Sequence, residues 1–260
     1  MSGSERAHNF TDGAGYHVSA MLAEPAGRRD RVVLLCHGFL SNKNSGTNKA
    51  LTRLLIEQGI AAYRFDFFGQ GESHGPFEEI TVTRTLDQAI KAVDVLKTCG
   101  YTRIGLIGSS YGGLVALLTT ERLSARGDAP VALGLKCPVP DFSEMLRLEL
   151  GQKGLEAWKR DGQIPDVRGD PTPTRLQFRF YEDCLAYDGY KTAQSVTVPT
   201  LIVQGDADEL VPAHQSPRLL ESLRGPKRLV LLPGADHGFS KAEDFRTMVH
   251  SLGAWMTNHL

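Results

Sequence analysis

The chain lacks most of the features that mark other classes of protein. Its four cysteines, Cys36, Cys99, Cys137 and Cys184, are no closer than 38 positions apart. No C-x-x-C pair exists, which excludes a zinc knuckle and a thioredoxin-type dithiol. Three of the four sit in or beside apolar segments and read as reduced, small core hydrophobes. No charge of one sign dominates: 29 Lys and Arg stand against 30 Asp and Glu, for a net charge of −1. No global basic field is therefore present to hold nucleic acid or an anionic membrane. Apolar runs such as Val32–Cys36 and Leu114–Leu118 stop at five residues, far below the roughly 18 that a spanning helix needs. Residues 1–11 are polar and lack the apolar stretch of a secretory signal, so a cytoplasmic address is expected. A G-x-x-x-x-G-K-S/T phosphate loop is missing, the glycines of 69–75 do not form a dinucleotide fingerprint, and no H-E-x-x-H is present. Asp206, Asp208 and Asp236 with His237 lack the spacing of a metal cluster, and no metal or organic cofactor is expected.

What is present is an ordinary globular composition: 260 residues, 41% hydrophobic and 23% charged, with a mean hydropathy of −0.21. Wholesale disorder is excluded, and the length suits one large core. Short β-branched apolar runs at 32–36, 60–65, 103–108, 131–135, 200–203 and 228–232 read as strands, the first of them buried on both faces. The first 25 residues add an antiparallel hairpin, with Asp12-Gly13 as turn signal. Leu86, Ala89, Ile90, Val93 and Leu96 fall on one helical face, with Gly100 as a stop. Phe245, Met248, Val249, Leu252, Trp255 and Met256 repeat that period at the C-terminus. Strand and helix alternating this often predict an α/β fold: a mostly parallel, doubly wound sheet with helices on both faces. Between 138 and 198 the rhythm lapses into mixed helix and loop, rich in aromatics and punctuated by Gly162, Pro165, Gly169, Pro171 and Pro173. That stretch reads as a cap insertion between strands six and seven, with 1–137 and 199–260 forming the core domain.

Gly108-Ser109-Ser110-Tyr111-Gly112 is a G-x-S-x-G, and its context makes it specific. An apolar strand precedes it and a helix-like run, Gly113–Leu118, follows. So tight a turn strains the backbone of Ser110 and lifts its oxygen above the sheet, while the glycines leave room. The following helix brings its N-terminal dipole and free N–H groups to the same place. Ser109 reads as a turn residue beside the nucleophile. A serine needs a base, and the base needs an orienting acid. In chain order, Asp206, Asp208 and Glu209 follow the strand at 200–203, and His237 follows the last strand. Such positions, just past the C-terminal ends of strands, are where catalytic groups gather in open α/β sheets.

An oxyanion needs two N–H donors. Tyr111, after the nucleophile, supplies one; Phe39, after His37-Gly38 at the end of the first strong strand, is expected to supply the other. Of the eight histidines, His8, His250 and His259 read as surface and His17 belongs to the hairpin. His74 and His214 occupy loop and helix-start positions that solvent or the pocket would take. His37 reads as a buried, hydrogen-bonded loop anchor.

Taken together, His37-Gly38-Phe39, Asp66-Phe-Phe-Gly69-Gln-Gly71-Glu-Ser73, the G-x-S-x-G, Gly205-Asp-Ala-Asp208-Glu-Leu-Val211-Pro212 and Asp236-His237-Gly238 resemble the α/β-hydrolase superfamily over nearly the whole chain. Within it, the sequence is similar to bacterial feruloyl and cinnamoyl esterases and to the monoacylglycerol-lipase and serine-aminopeptidase-like group. The resemblance implies a triad of Ser110, Asp208 and His237, selecting Asp208 over Asp206, and an oxyanion hole of Phe39 and Tyr111. It also implies polar cap groups that hold a phenolic hydroxyl, for which Tyr181 and Asp141 are candidates, while Phe142 and Phe180 are the substrate-binding candidates for an apolar pocket.

The expected activity is hydrolysis of carboxylic esters through an acyl-enzyme, on short-chain or aryl, including hydroxycinnamoyl, esters. A monoacylglycerol lipase or small-substrate serine aminopeptidase is the alternative, the latter drawing on Glu144, Glu149, Glu156, Glu182 or Asp183. A non-catalytic ligand-binding scaffold is a third reading. The expected partner is a small ester, with no nucleic acid and no membrane; a homo-oligomer is left open.

Overall fold

The computed structural model describes residues 3–27, 30–164 and 173–260; Pro165, Gly169 and Pro171, expected to punctuate the cap, lie outside them. The N-terminal region forms β1 (Ser4–Ala7), β2 (Phe10–Thr11), β3 (His17–Val18) and β4 (Ala20–Glu24). The β2–β3 hairpin turns on the Asp12 carboxylate, which accepts the N–H groups of Ala14 and Tyr16. Gly15, not Gly13, takes the left-handed conformation, at φ 88°.

Then follow β5 (Arg31–Cys36), α1 (Gly46–Glu57), β6 (Ala61–Phe65), α2 (Val82–Thr98), β7 (Arg103–Ser109), α3 (Tyr111–Ala125) and β8 (Ala132–Lys136). The stretch between the sixth and seventh strands of the main sheet holds α4 (Phe142–Asp161), β9 (Gln163–Ile164), β10 (Thr174–Arg175), α5 (Arg179–Cys184) and α6 (Gly189–Ala193). The chain closes with β11 (Thr200–Gly205), α7 (Gln215–Ser222), β12 (Lys227–Leu232) and α8 (Ala242–His259).

Eight strands form one sheet in the order β1-β4-β6-β5-β7-β8-β11-β12. The pairs β1–β4 and β4–β6 are antiparallel and all the others parallel. Helices α1 and α8 pack together on one face, and α2, α3, α6 and α7 on the other. Helix α3 is buried on nearly every side, as a helix hydrophobic all round must be. The fold is the expected α/β architecture.

The loop after β6 is folded round a single carboxylate. Buried Asp66 accepts the Lys43 N–H at 2.5 Å, the Lys43 ammonium at 2.6 Å and the Glu72 N–H at 2.9 Å. Glu72 reaches the same ammonium at 2.6 Å. A side chain at Gly71 would overlap the Asp66 carboxyl, and Gly71 also sits at φ 57°, which explains glycine there. Phe67 N–H, from this loop, donates to His37 Nε2 at 3.0 Å, so the loop braces the segment that follows β5. Removing one partner of a buried pair strands the other charge. Lys43→Met is therefore expected to lower unfolding free energy by about 3–5 kcal/mol, read from urea denaturation; a change under about 1 kcal/mol, the range of exposed ion pairs, would contradict the account.

Candidate active site

Ser110 occupies the turn between β7 and α3 at φ 53°, ψ −118°. Such a conformation costs a non-glycine residue on the order of 1–3 kcal/mol, so its surroundings must enforce it. The Ser110 N–H donates to the Lys136 carbonyl at 2.8 Å, and the Ser110 carbonyl accepts the Gly113 N–H at 2.8 Å. The turn is also crowded by backbone. A Cβ at Gly108 would overlap the Gly112 carbonyl, and one at Gly112 would overlap the Cys36 and His37 carbonyls. Both outer glycines of the motif are thus required by close approach of main chains.

The second crossing strand end is equally constrained. His37 is buried; its Nδ1–H donates to the Gly38 carbonyl at 2.8 Å while Nε2 accepts from Phe67. Both nitrogens of the neutral imidazole are thus engaged, and burial lowers its pKa to about 4. His37 is a loop anchor. Phe39 follows, its ring stacked on Phe180 at 5.1 Å and set edge-on against Tyr111 at 5.6 Å and Phe142 at 5.8 Å. Tyr111 opens α3, so its N–H has no intrahelical acceptor; its hydroxyl bonds Thr85 Oγ1 at 2.7 Å.

His237 stands on the loop after β12. Its Nδ1 lies 3.0 and 2.9 Å from the two carboxylate oxygens of Asp208, which leaves Nε2 for another partner. Asp208 also accepts the Leu210 and Val211 N–H groups, at 3.0 and 2.9 Å, and Gln204 Nε2 at 2.8 Å. Burial acts against its charge, but His237 and the two amides outweigh that and hold its pKa at about 2. Asp206 serves elsewhere, accepting the Gly234 N–H at 2.5 Å and so tying the β11 and β12 loops together. Glu209 accepts the His237 N–H at 3.1 Å, and the Lys136 ammonium donates to the His237 carbonyl at 2.6 Å.

Ser110 and His237 share the wall of one cavity of about 260 Å³ with Gly38 and Phe39. Its opposite wall is α4, through Phe142, Met145, Leu146 and Glu149, with Ile164 and Leu210 beside them. Of the substrate-binding candidates only Phe142 reaches this wall. Asp141 instead caps α4, accepting the Glu144 N–H at 2.8 Å and the Ser143 hydroxyl at 2.7 Å. Phe180 is buried among Phe39, Tyr111 and Phe142, and Tyr181 is wedged between Trp158 and Phe178. Those three are placed by capping and packing, outside the cavity lining. His74 and His214 do not line it either; His214 Nε2 lies 3.0 Å from Glu144.

Reading for motifs missed Met145, Leu146, Lys136 and Gln204, and named Glu149 only as an acidic cap residue for the aminopeptidase alternative. The α4 wall was nonetheless written in the chain, since 142, 145, 146 and 149 fall at i, i+3, i+4 and i+7. Cys137 Sγ, an Asp208 oxygen and a His237 nitrogen lie within 4.8 Å of one another. This set does not suit a metal: burial pushes the Cys137 thiol up to about 12, whereas a metal takes the thiolate, and Nδ1 is already engaged by Asp208. Among the described residues no helix is long and apolar enough to cross a membrane.

Because the folded pKa of Asp208 lies below its ordinary value, its charge contributes stability that is present above about pH 4 and lost as pH falls towards 2. Asp208→Asn is expected to cost about 2 kcal/mol at pH 6 and progressively less below pH 4, in urea titrations run at both ends. A deficit that does not change with pH would contradict this reading of the carboxylate.

Comparison with known proteins follows the same lines. The mitochondrial palmitoyl-protein thioesterase ABHD10 of Bos taurus is 23% identical over 226 residues, covering 85% of this chain and 71% of that one; the Homo sapiens protein is 24% identical over 229 residues, covering 85% and 71%. Among solved structures, Est1E of Butyrivibrio proteoclasticus with ferulic acid bound superposes with a TM-score of 0.83 at 23% identity, covering 97% of this chain and 99% of that one. Mouse ABHD10 superposes at 0.79 with 19% identity, covering 96% and 97%. At these identities the structural likeness is one of fold. Residues 33–246 match the alpha/beta hydrolase family, and with that match spanning most of the chain, the protein belongs to the alpha/beta hydrolase family.

Proposed function

We propose that the protein is a serine hydrolase that cleaves carboxylic esters through an acyl-enzyme. The observation that carries this reading is a strained Ser110 on the same cavity wall as a His237 whose Nδ1 is held by a buried, ionised Asp208. His237 Nε2 takes the proton as Ser110 Oγ attacks the ester carbonyl, and Asp208 fixes the tautomer and stabilises the imidazolium. The Phe39 and Tyr111 amides receive the oxyanion, each worth about 3 kcal/mol by comparison with donors of this kind. Collapse passes the proton to the departing alcohol; water, deprotonated by His237, then releases the acid.

The cavity supports small acyl or aryl groups. Its volume of about 260 Å³ lies below the ~300–1,000 Å³ usual for drug-sized ligands, and Phe142, Met145, Leu146 and Ile164 supply apolar walls. A thioester, the chemistry named for the ABHD10 relatives, would use the same atoms. Of the acidic cap residues considered for an aminopeptidase, Glu149 lines the cavity, whereas Glu144 is engaged by His214 and Gln215 and Asp183 by Thr83. A cytoplasmic location belongs to this proposal.

Hydrolysis would be measured on nitrophenyl esters from acetyl to dodecanoyl, methyl ferulate, a short acyl thioester and an aminoacyl nitroanilide. Wild type is expected to favour short or aryl esters, and Ser110→Ala to lose about 10⁴-fold or more in kcat. Turnover that survives in Ser110→Ala, or none on any ester or thioester, would overturn the reading.

A further inference from the structure

Among the described residues two lysines are buried, and their surroundings differ. Lys43 meets two carboxylates. Lys136, 6% exposed, makes no ion pair among the described residues. It ends β8 directly across the ladder from Ser109, and its carbonyl accepts the Ser110 N–H, so its side chain departs from beside the nucleophile. The ammonium donates to the His237 carbonyl at 2.6 Å and lies 5.3 Å from the centre of the Phe239 ring. An ammonium carries three N–H donors; the Asp236 carboxylate acts on it only through space, without an ion pair, and one carbonyl with one ring face does not by itself neutralise a buried charge. A neutral amide would hold the same carbonyl without the penalty of burying a cation. Lys136 is among the residues that line the cavity holding Ser110 and His237. Besides His237, the cavity is lined by Glu149 on the opposite α4 wall, which also makes no ion pair among the described residues and would turn an anion away from its own end.

Resting on the serine-hydrolase reading, we propose that Lys136 is a carboxylate-binding residue of this site, and that its substrates are esters carrying one carboxylate a few bonds from the scissile carbonyl. Half-esters of short dicarboxylic acids place that carboxylate on the acyl side, and short acyl esters of hydroxy acids place it on the alcohol side. In either case one water is consumed, the acyl C–O bond breaks and the alcohol and acid separate. The carboxylate itself is unchanged and serves only to anchor the substrate against the buried ammonium.

Two matched pairs test this: mono-nitrophenyl glutarate against nitrophenyl pentanoate for the acyl side, and 4-carboxyphenyl butyrate against phenyl butyrate for the alcohol side. Lys136→Gln removes the charge while its amide still reaches for the His237 carbonyl, and Lys136→Arg restores the charge. Wild type is expected to prefer the anionic member of one pair by roughly tenfold or more in kcat/KM. In Lys136→Gln that preference disappears, and in Lys136→Arg most of it returns. Equal rates for both members of each pair in wild type, or an equal fall on both in Lys136→Gln, would overturn the proposal and leave Lys136 as a clamp on the His237 loop. Calorimetric binding of mono-nitrophenyl glutarate to Ser110→Ala, with and without Lys136→Gln, decides the matter independently of turnover. Roughly tenfold weaker binding in the double variant is expected, and undetectable or unchanged binding overturns the subsite. If no ester is hydrolysed, the serine reading fails while the subsite is still judged on this binding.

Discussion

The site depends on a packing constraint among main chains. At the mouth of the sheet the end of β7, the start of α3 and the end of β5 come so close that side chains cannot stand between them. Gly108 and Gly112 are required by that approach, and Ser110, left between them, is driven to positive φ. Strain of this kind persists only where the surroundings over-determine it. Here three features enforce it: the buried α3, the ladder neighbour Lys136 that takes the Ser110 N–H, and the His37 segment braced by the Asp66 loop. The same crowding recurs at the acid. A side chain at Gly205 would overlap the Ala235 carbonyl, and this holds the β11 and β12 loops together where Asp208 meets His237.

Electrostatics complete what packing begins. Two of the buried carboxylates, Asp66 and Asp208, serve different purposes, and the difference lies in their partners. Asp66 is saturated by the Lys43 ammonium and by the Lys43 and Glu72 amides, which tie the loop after β6 to the segment after β5 and make it scaffold. Asp208 is held by two amides and Gln204, and Gln204 is itself fixed by Ser216; its remaining capacity goes to an imidazole whose other nitrogen is left open. The first arrangement stores rigidity, and the second leaves His237 Nε2 open for the base role proposed for it. The cap-side elements contribute in two ways, with Phe142, Met145 and Leu146 lining the cavity while Phe180 packs against Phe39, Tyr111 and Phe142 and Tyr181 against Trp158 and Phe178.

Much of this was legible in the sequence where chemistry is written in short runs. Apolar strands, the strand–turn–helix setting of Gly108–Gly112 and the chain order of Ser110, Asp208 and His237 all read through, because local patterns fix them. What did not read through depends on direction in space. Asp141 looked like a polar contact because it is acidic and follows a strand, but it also begins a helix, and capping uses its oxygens. Phe180 and Tyr181 are adjacent and both buried, yet they meet different neighbours because successive residues point about 100° apart around a helix, and composition does not record that. Lys136 was hidden because the strand was expected to end at 135. One more residue in β8 puts that ammonium at the site.

The central claim is that packing has made Ser110 a nucleophile served by His237 and Asp208. Intact-mass and peptide-level measurement of fluorophosphonate labelling tests it most directly. The account predicts one adduct per chain on Ser110 in the folded protein, absent in Ser110→Ala and strongly slowed in His237→Ala. No adduct, or labelling that persists without Ser110, would contradict it.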